Sequence, residues 1–298
     1  MNRLFNQNLD SSNFEYFNKI KESLLDPQAK KISNDLTWIK LSNEFINQKY
    51  PVVSLGNGKP ILLLHGFDSC FLEFRRIYPL LKNDFKLIIP DLYGFGFSPR
   101  LKTIKNNPDR IISTLLNLID QIDLGGKLNI IGASMGGSVA LSLSNKLLDN
   151  VEKLLLLSPA GLFGTPKSIP RPFNQIGASF LGSQFVRKSL CRQAFANPNK
   201  SVGKMEEQIA SIHLGCPGWR NSLASFAESG GFAGTYKEIK DIPIKTICGE
   251  QDRILGKREM GKLRMINKLN LLSLKNCGHL PHLDLPFLTG KIIVDFFK

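Results

Sequence analysis

Six short apolar runs, separated by longer stretches, set the strongest limit on what this chain can fold into. They are KPILLLHG (59–66), FKLIIPDL (85–92), KLNIIGAS (127–134), EKLLLLSP (152–159), IPIKTICGE (242–250) and LNLLSLKNCGH (269–279). Most have strand length and a near-continuous apolar centre, without the alternation of a strand that has one wet face. Strands of this kind need cover on both sides. The stretches 72–81, 108–123 and 135–148 carry apolar residues at helical spacing, and strands alternating with helices imply an α/β fold with a mostly parallel sheet. Residues 38–53 add two more polar strands at an edge, and 286–297 a closing helix.

Residues 162–240 break the alternation. They contain several prolines and amphipathic pieces such as ASFLGSQFVRKSL (178–190), but no convincing strand. So long an interval between strands is read as an inserted helical cap. The expected organisation is an N-terminal helical or extended segment at 1–37, a core formed by 38–160 and 241–298, and a cap at 161–240. The interval 162–240 holds ten basic residues against four acidic ones, and seven of the twenty phenylalanines.

The net charge of +14 raises nucleic acid as a partner. The basic residues form no block of five or six, however, and Lys, Asn and Ile are all abundant, so no nucleic-acid partner is expected. Contact with an anionic membrane surface through the basic cap is a further expectation. The longest apolar runs are four or five residues, far below the ~18–20 that a membrane span requires. The start, MNRLFNQNLDSS, lacks an apolar core and cleavage site, so the expected location is cytoplasmic, or peripheral to an internal membrane. Five scattered cysteines without a CxxC pair suit reduced thiols better than a disulfide frame or a zinc site.

Chemistry concentrates where the strand ending at NIIGAS meets the next helix. Gly132-Ala133-Ser134-Met135-Gly136 fits G-x-S-x-G in the strand–turn–helix context that the motif requires. A nucleophile on so sharp a turn needs tiny neighbours, and Gly132 and Gly136 supply them. A serine hydroxyl also needs a base to take its proton and a carboxylate to hold that base in one tautomer. Of four histidines, His279 directly follows the last strand and is favoured as base. His282, behind Pro281, is read as a structural imidazole, and His213 lies in the cap. In GEQDRIL (249–255), Asp252 is deeper in the loop than Glu250 and is favoured as the acid. The tetrahedral intermediate of acyl transfer needs backbone donors; Met135 N–H and Phe67 N–H, the latter in LLLHGFDSC (62–70), are the candidates. Gly66 permits close approach, and His65 is read as a buried ring bracing that loop. Asp91, in PDLYGFGFS (90–98), is read as bonding backbone amides rather than as part of a phosphate loop, because no G-K-[ST] follows.

Together HGF (65–67), DLYGFGFS (91–98), GASMGG (132–137), GEQD (249–252) and CGHLPHLDLP (277–286) resemble the ordered landmarks of the α/β-hydrolase superfamily over residues 38–298. The resemblance implies the α/β-hydrolase fold, Ser134 as nucleophile, Asp252 as acid, His279 as base, Phe67 and Met135 as oxyanion donors, and no cofactor or metal. Serine at 134 argues against haloalkane dehalogenases and epoxide hydrolases, which carry aspartate there. CPGWRNSLASFAESGGF (216–232) resembles the end of the cap in cyanobacterial and chloroplast hydrolases that include chlorophyll dephytylases. That likeness implies a bulky apolar ester as substrate, such as the phytyl ester of chlorophyll. Carbon–carbon bond hydrolases of ring-cleavage products, and non-catalytic ligand receptors, share the fold and stay open as alternatives.

Overall fold

A computed structural model describes residues 12–41, 49–238 and 241–298. Eight strands form one sheet: β1 Leu36–Lys40, β2 Lys49–Leu55, β3 Lys59–Leu64, β4 Phe85–Pro90, β5 Leu128–Ala133, β6 Val151–Leu157, β7 Ile244–Gly249 and β8 Leu271–Leu274, in the order β1-β2-β4-β3-β5-β6-β7-β8. β1 and β2 pair antiparallel, as do β2 and β4; every other neighbouring pair is parallel. Part of the expected edge segment, 42–48, and the expected cap terminus at 240 lie outside the described residues, as does the start of the chain through residue 11.

The apolar strands are two-faced. Leu62, Leu64, Ile130, Leu154 and Leu156 join one core layer; Ile61, Leu63, Ile131, Leu155 and Leu157 join the other. Successive side chains point to opposite faces, so a run apolar at every position buries both. Helices of eight or more residues supply the cover. They are α1 Ser12–Lys21, α2 Pro27–Asn34, α3 Pro108–Asp120, α4 Met135–Leu147, α5 Phe173–Leu181, α6 Gln184–Gln193, α7 Lys204–Ser211, α8 Trp219–Ser229, α9 Lys257–Met265 and α10 Pro286–Phe297. α5 to α8 all fall between β6 and β7, where no strand occurs among the described residues.

Two sequence expectations need correction. The helix expected over 72–81 is a 3₁₀ turn, Phe71–Phe74, followed by a single turn, Tyr78–Leu81. Pro79 lacks the N–H a continuous helix would need there, and its ring would meet the carbonyl one turn earlier. The run 269–279 pairs only over Leu271–Leu274; Asn276, at φ +54°, then turns the chain into the loop bearing His279.

The N-terminal segment is built into the molecule. Phe17 packs on Trp38, Phe71 and Phe97, and the Tyr16 hydroxyl donates to the Ile212 carbonyl of the inserted region. Asp26 caps α2 through the amides of Gln28 and Ala29. Its other oxygen accepts from Arg75 Nε at 2.6 Å. Arg75 is 1% exposed and also lies 3.5 Å from Glu206 of α7. One guanidinium thereby joins the N-terminal segment, the loop after β3 and the inserted helices.

Removing one member of a buried ion pair leaves the other charge unpaired, at a typical cost of ~3–5 kcal/mol. Arg75 keeps Glu206 as a partner, so Asp26→Ala, which also removes the cap, is expected to destabilise the protein by ~2–3 kcal/mol in denaturant unfolding. Arg75→Met together with Asp26→Leu is expected to recover part of that loss.

Candidate active site

β5 ends at Ala133, and the chain reverses at Ser134, φ +51° and ψ −119°, into α4. A residue with a side chain reaches a positive φ only at a cost in strain, and it persists when the surroundings enforce it. Here the Ser134 amide donates to the Leu157 carbonyl, and the Ser134 carbonyl accepts from Gly137 and Ala160. A Cβ at Gly132 would collide with the Gly136 carbonyl, and one at Gly136 with the Leu64 carbonyl. The turn thus closes only because both flanking positions are glycine.

His279 Nδ1 lies 2.8 Å from Asp252 Oδ2, and its Nε2 lies 2.9 Å from Ser134 Oγ. An ionised carboxylate only accepts, so Nδ1 carries the proton, and Nε2 is left to accept the serine hydroxyl. The other Asp252 oxygen accepts from the amides of Ile254 and Leu255. Burial alone would raise the Asp252 carboxyl, but the bond from His279, with those two amides, holds it below its ordinary value. Glu250 lies outside this line of bonds; its amide continues the β8 edge through Leu274.

The loop after β3 runs against the serine. A Cβ on Gly66 would stand 3.3 Å from the Ser134 Cβ, so the peptide leading to Phe67 passes directly beside the hydroxyl-bearing carbon. His65, fully buried, braces this loop with both nitrogens. Nδ1 donates to the Gly66 carbonyl at 2.8 Å, and Nε2 accepts from the Leu92 amide at 2.9 Å. Burial pushes the ring down to about 4, so it is neutral, and the nearby Asp91 at 4.0 Å is not its ion partner. Asp91 instead accepts from the amides of Phe71 and Phe97. His282, also fully buried, faces Glu73 at 3.3 Å and the Phe74 ring. Glu73 in turn accepts from the Gly66 amide at 3.2 Å.

Three carboxylates that sequence reasoning passed over organise the surroundings. Glu73 is the one just described. Asp284 accepts from the amides of Gly278 and Ala196, while the His279 amide donates to the Ala194 carbonyl at 2.8 Å; the loop carrying His279 therefore hangs from the end of α6. Asp68, directly after Phe67, has φ +47° and is 4% exposed. Its carboxylate accepts from Arg187 Nη1 of α6 at 2.6 Å, His213 Nε2 at 3.0 Å and Trp219 Nε1 of α8 at 2.8 Å. Burial opposes this charge, but His213, Arg187 and Trp219 outweigh it and hold the carboxyl far below the ordinary range. The only sequence signal for Asp68 was its place beside an oxyanion candidate; its three donors come from residues over a hundred positions away.

The 216–232 segment supplies the face of the inserted helices turned toward this loop. Beside Trp219, Phe226 meets Phe67 at a tilt and Phe95 edge to face, at 6.0 and 5.1 Å between ring centres. The Ser222 hydroxyl donates to the Gly94 carbonyl. Between these elements lies a cavity of about 280 Å³ that Ser134 and His279 share with Leu181, Leu190, Phe195 and Leu283.

The sequence profile of the alpha/beta hydrolase family matches residues 61–288. This chain belongs to the alpha/beta hydrolase family. Among its relatives within the alpha/beta hydrolases, the alpha/beta hydrolase domain-containing protein VTE7 of Arabidopsis thaliana is 30% identical over 256 residues, 83% of this chain and 76% of that protein. Lipase 3 of Moraxella sp. (strain TA144) is 35% identical over 250 residues, 76% of this chain and 73% of that protein. In fold, this alpha/beta hydrolase matches the naproxen esterase (carboxylesterase NP) of Bacillus subtilis with a TM-score of 0.73 at 17% identity, over 96% of this chain and 97% of the other.

Asp68→Asn keeps the shape but removes the charge opposite Arg187, and is expected to cost ~3 kcal/mol or more at pH 7. Because the folded carboxyl titrates below its unfolded value of ~3.9, its stabilisation is complete above about pH 4 and fades as the pH falls through the folded value. Denaturant unfolding across pH should therefore show the wild type and Asp68→Asn converging in acid. Gly136→Ala is expected to leave little folded protein, which thermal unfolding and yield would report.

Proposed function

We propose that this hydrolase cleaves a carboxylic ester through a covalent acyl-enzyme formed on Ser134. The observation that carries this reading is the line from Asp252 through His279 to Ser134 Oγ, with both bonds under 3 Å. In this reading His279 takes the serine proton as Oγ attacks the ester carbonyl, and the imidazolium that forms is stabilised by Asp252. The amides of Phe67 and Met135 receive the oxyanion, which accounts for the approach of Gly66 to Ser134 and for the His65 bond to the Gly66 carbonyl, which fixes the peptide carrying the Phe67 amide. His279 then protonates the departing alcohol. Water, activated by the same ring, releases the acid.

The substrate we propose is an apolar ester. The open surface of the cavity beside Ser134 is mostly apolar, because the charged residues that also line it, Asp68 with Arg187 and Arg75 with Glu206, are paired with each other, and at about 280 Å³ it lies just below the usual ligand pocket, ~300–1,000 Å³. That volume holds one arm of an ester and not a whole tetrapyrrole, so a large head group would stay outside while the arm enters. A phytyl ester such as that of chlorophyll has this shape, and the likeness of 216–232 to the dephytylase group points the same way.

The experiment is hydrolysis of p-nitrophenyl esters of increasing chain length by the wild type and Ser134→Ala. The expected result is an initial burst of nitrophenol and steady turnover, with kcat lowered on the order of 10⁴–10⁶-fold in the variant and longer chains favoured. Turnover of a vinylogous 1,5-diketone with no ester turnover would assign the chain to carbon–carbon bond hydrolysis. Ligand binding with no turnover of either class would make it a receptor.

A further inference from the structure

The helices inserted between β6 and β7 bury one side and leave the other bare. On α5, Asn174 and Ala178 face inward, while Phe173, Ile176 and Phe180 are 64%, 60% and 64% exposed. The i, i+3, i+7 spacing places these three on one stripe. Between them, a Cβ added at Gly177 would meet nothing within 4 Å. Ile169 extends the bare surface before α5, and Phe185, 82% exposed, extends it onto α6. Large exposed apolar side chains scattered singly need no explanation, but a cluster of this kind marks an interaction surface.

Charge identifies what the surface meets. From Leu154 to Met205 the chain contains no Asp or Glu, yet it carries Lys167, Arg171, Arg187, Lys188, Arg192, Lys200 and Lys204. Arg187 is consumed internally by Asp68. Lys167, Arg171, Lys188, Lys200 and Lys204 are all exposed, and Lys188 and Arg192 fall on the same side of α6 as Phe185 by helical spacing. Lys188 also reaches Glu207 on the adjoining α7 at 3.0 Å. An apolar stripe bordered by cations, on a segment without carboxylates, complements the boundary between acyl chains and anionic head groups. The same two helices line the cavity from behind, through Leu181 and Leu190.

We propose that α5 and the start of α6 form a docking surface for an anionic phospholipid bilayer, with Phe173, Ile176, Phe180 and Phe185 entering the interface and the flanking lysines and arginines contacting head groups. The surface stands independently of the ester reaction, since none of these four side chains lines the cavity. Its link to the proposed substrate is geometric: an apolar ester held in a bilayer would lie on the outer side of the wall that Leu181 and Leu190 form.

Flotation of the full chain with phosphatidylcholine vesicles and with vesicles containing an equal part of phosphatidylglycerol tests this, in the Ser134→Ala background so that binding is read without hydrolysis. The wild-type surface is expected to float with the anionic vesicles, less with the zwitterionic ones, and less as salt is raised. Combined Phe173→Ser, Phe180→Ser and Phe185→Ser should lower the partition coefficient at least ~tenfold, and so should Gly177→Asp, which adds a charge where there is open space. With Ser134 restored, both variants should keep the turnover of a short soluble ester. Failure to float with anionic vesicles, or equal flotation of the serine variants, overturns the proposal. A concentration-dependent dimer in sedimentation that the same serines abolish, with no flotation, would give the surface to a second copy and overturn it equally.

Discussion

Everything around the site depends on one reversal of the backbone, held in place by packing too close for any side chain. Ser134 has a positive φ because β5, paired beside β3, passes into α4 at this single residue. The contact of Gly136 with the Leu64 carbonyl and of Gly132 with the Gly136 carbonyl leaves the chain no room to relax. Strand order then does the rest. β5 lies between β3 and β6, with β7 and β8 beyond, so parallel strands bring their carboxyl ends to one edge. The loops bearing Phe67, Ser134, Asp252 and His279 all emerge there, which is where open α/β sheets place their ligands.

That edge was legible in sequence because each of its residues follows an apolar run that could only be a buried strand. The glycines around Ser134 were readable for the same reason: a strand–turn–helix junction has few ways to be made, and each needs tiny residues at fixed offsets. The limits of reading are equally physical. Pro79 broke an apolar pattern that periodicity alone would have continued, since apolar spacing is blind to a missing N–H. The last strand was drawn too long because an edge strand is defined by its partner, and only four residues of β8 have one. Asp68, Glu73 and Asp284 went unnoticed because their meaning lies entirely in what they bond. A carboxylate that pins distant amides or guanidinium groups carries no local signature.

Asp68 shows how the inserted helices and the sheet act as one body. Its carboxylate gathers α6, α8 and the turn bearing His213 onto the residue next to Phe67. A buried charge with three donors is worth little as net stability against an apolar replacement, but displacing any one donor leaves it under-satisfied in the interior. The aromatic contacts of Phe226 with Phe67 and Phe95 fill the space beside it without directional demand. Position is therefore set by the polar group, and the apolar cluster supplies cohesion.

The bond from the His279 amide to the Ala194 carbonyl has a consequence for motion. The imidazole loop is suspended from the same helix, α6, that walls the cavity and presents Phe185 outward. If that helix swings away to admit a bulky ligand, it either takes the imidazole with it or gives up a backbone bond that holds the imidazole in line. Only the first displaces the ring outright; in the second, Asp252 and the Asp284 bond to the Gly278 amide still hold it. The placement of the imidazole is thus tied to the placement of the helix that walls the cavity.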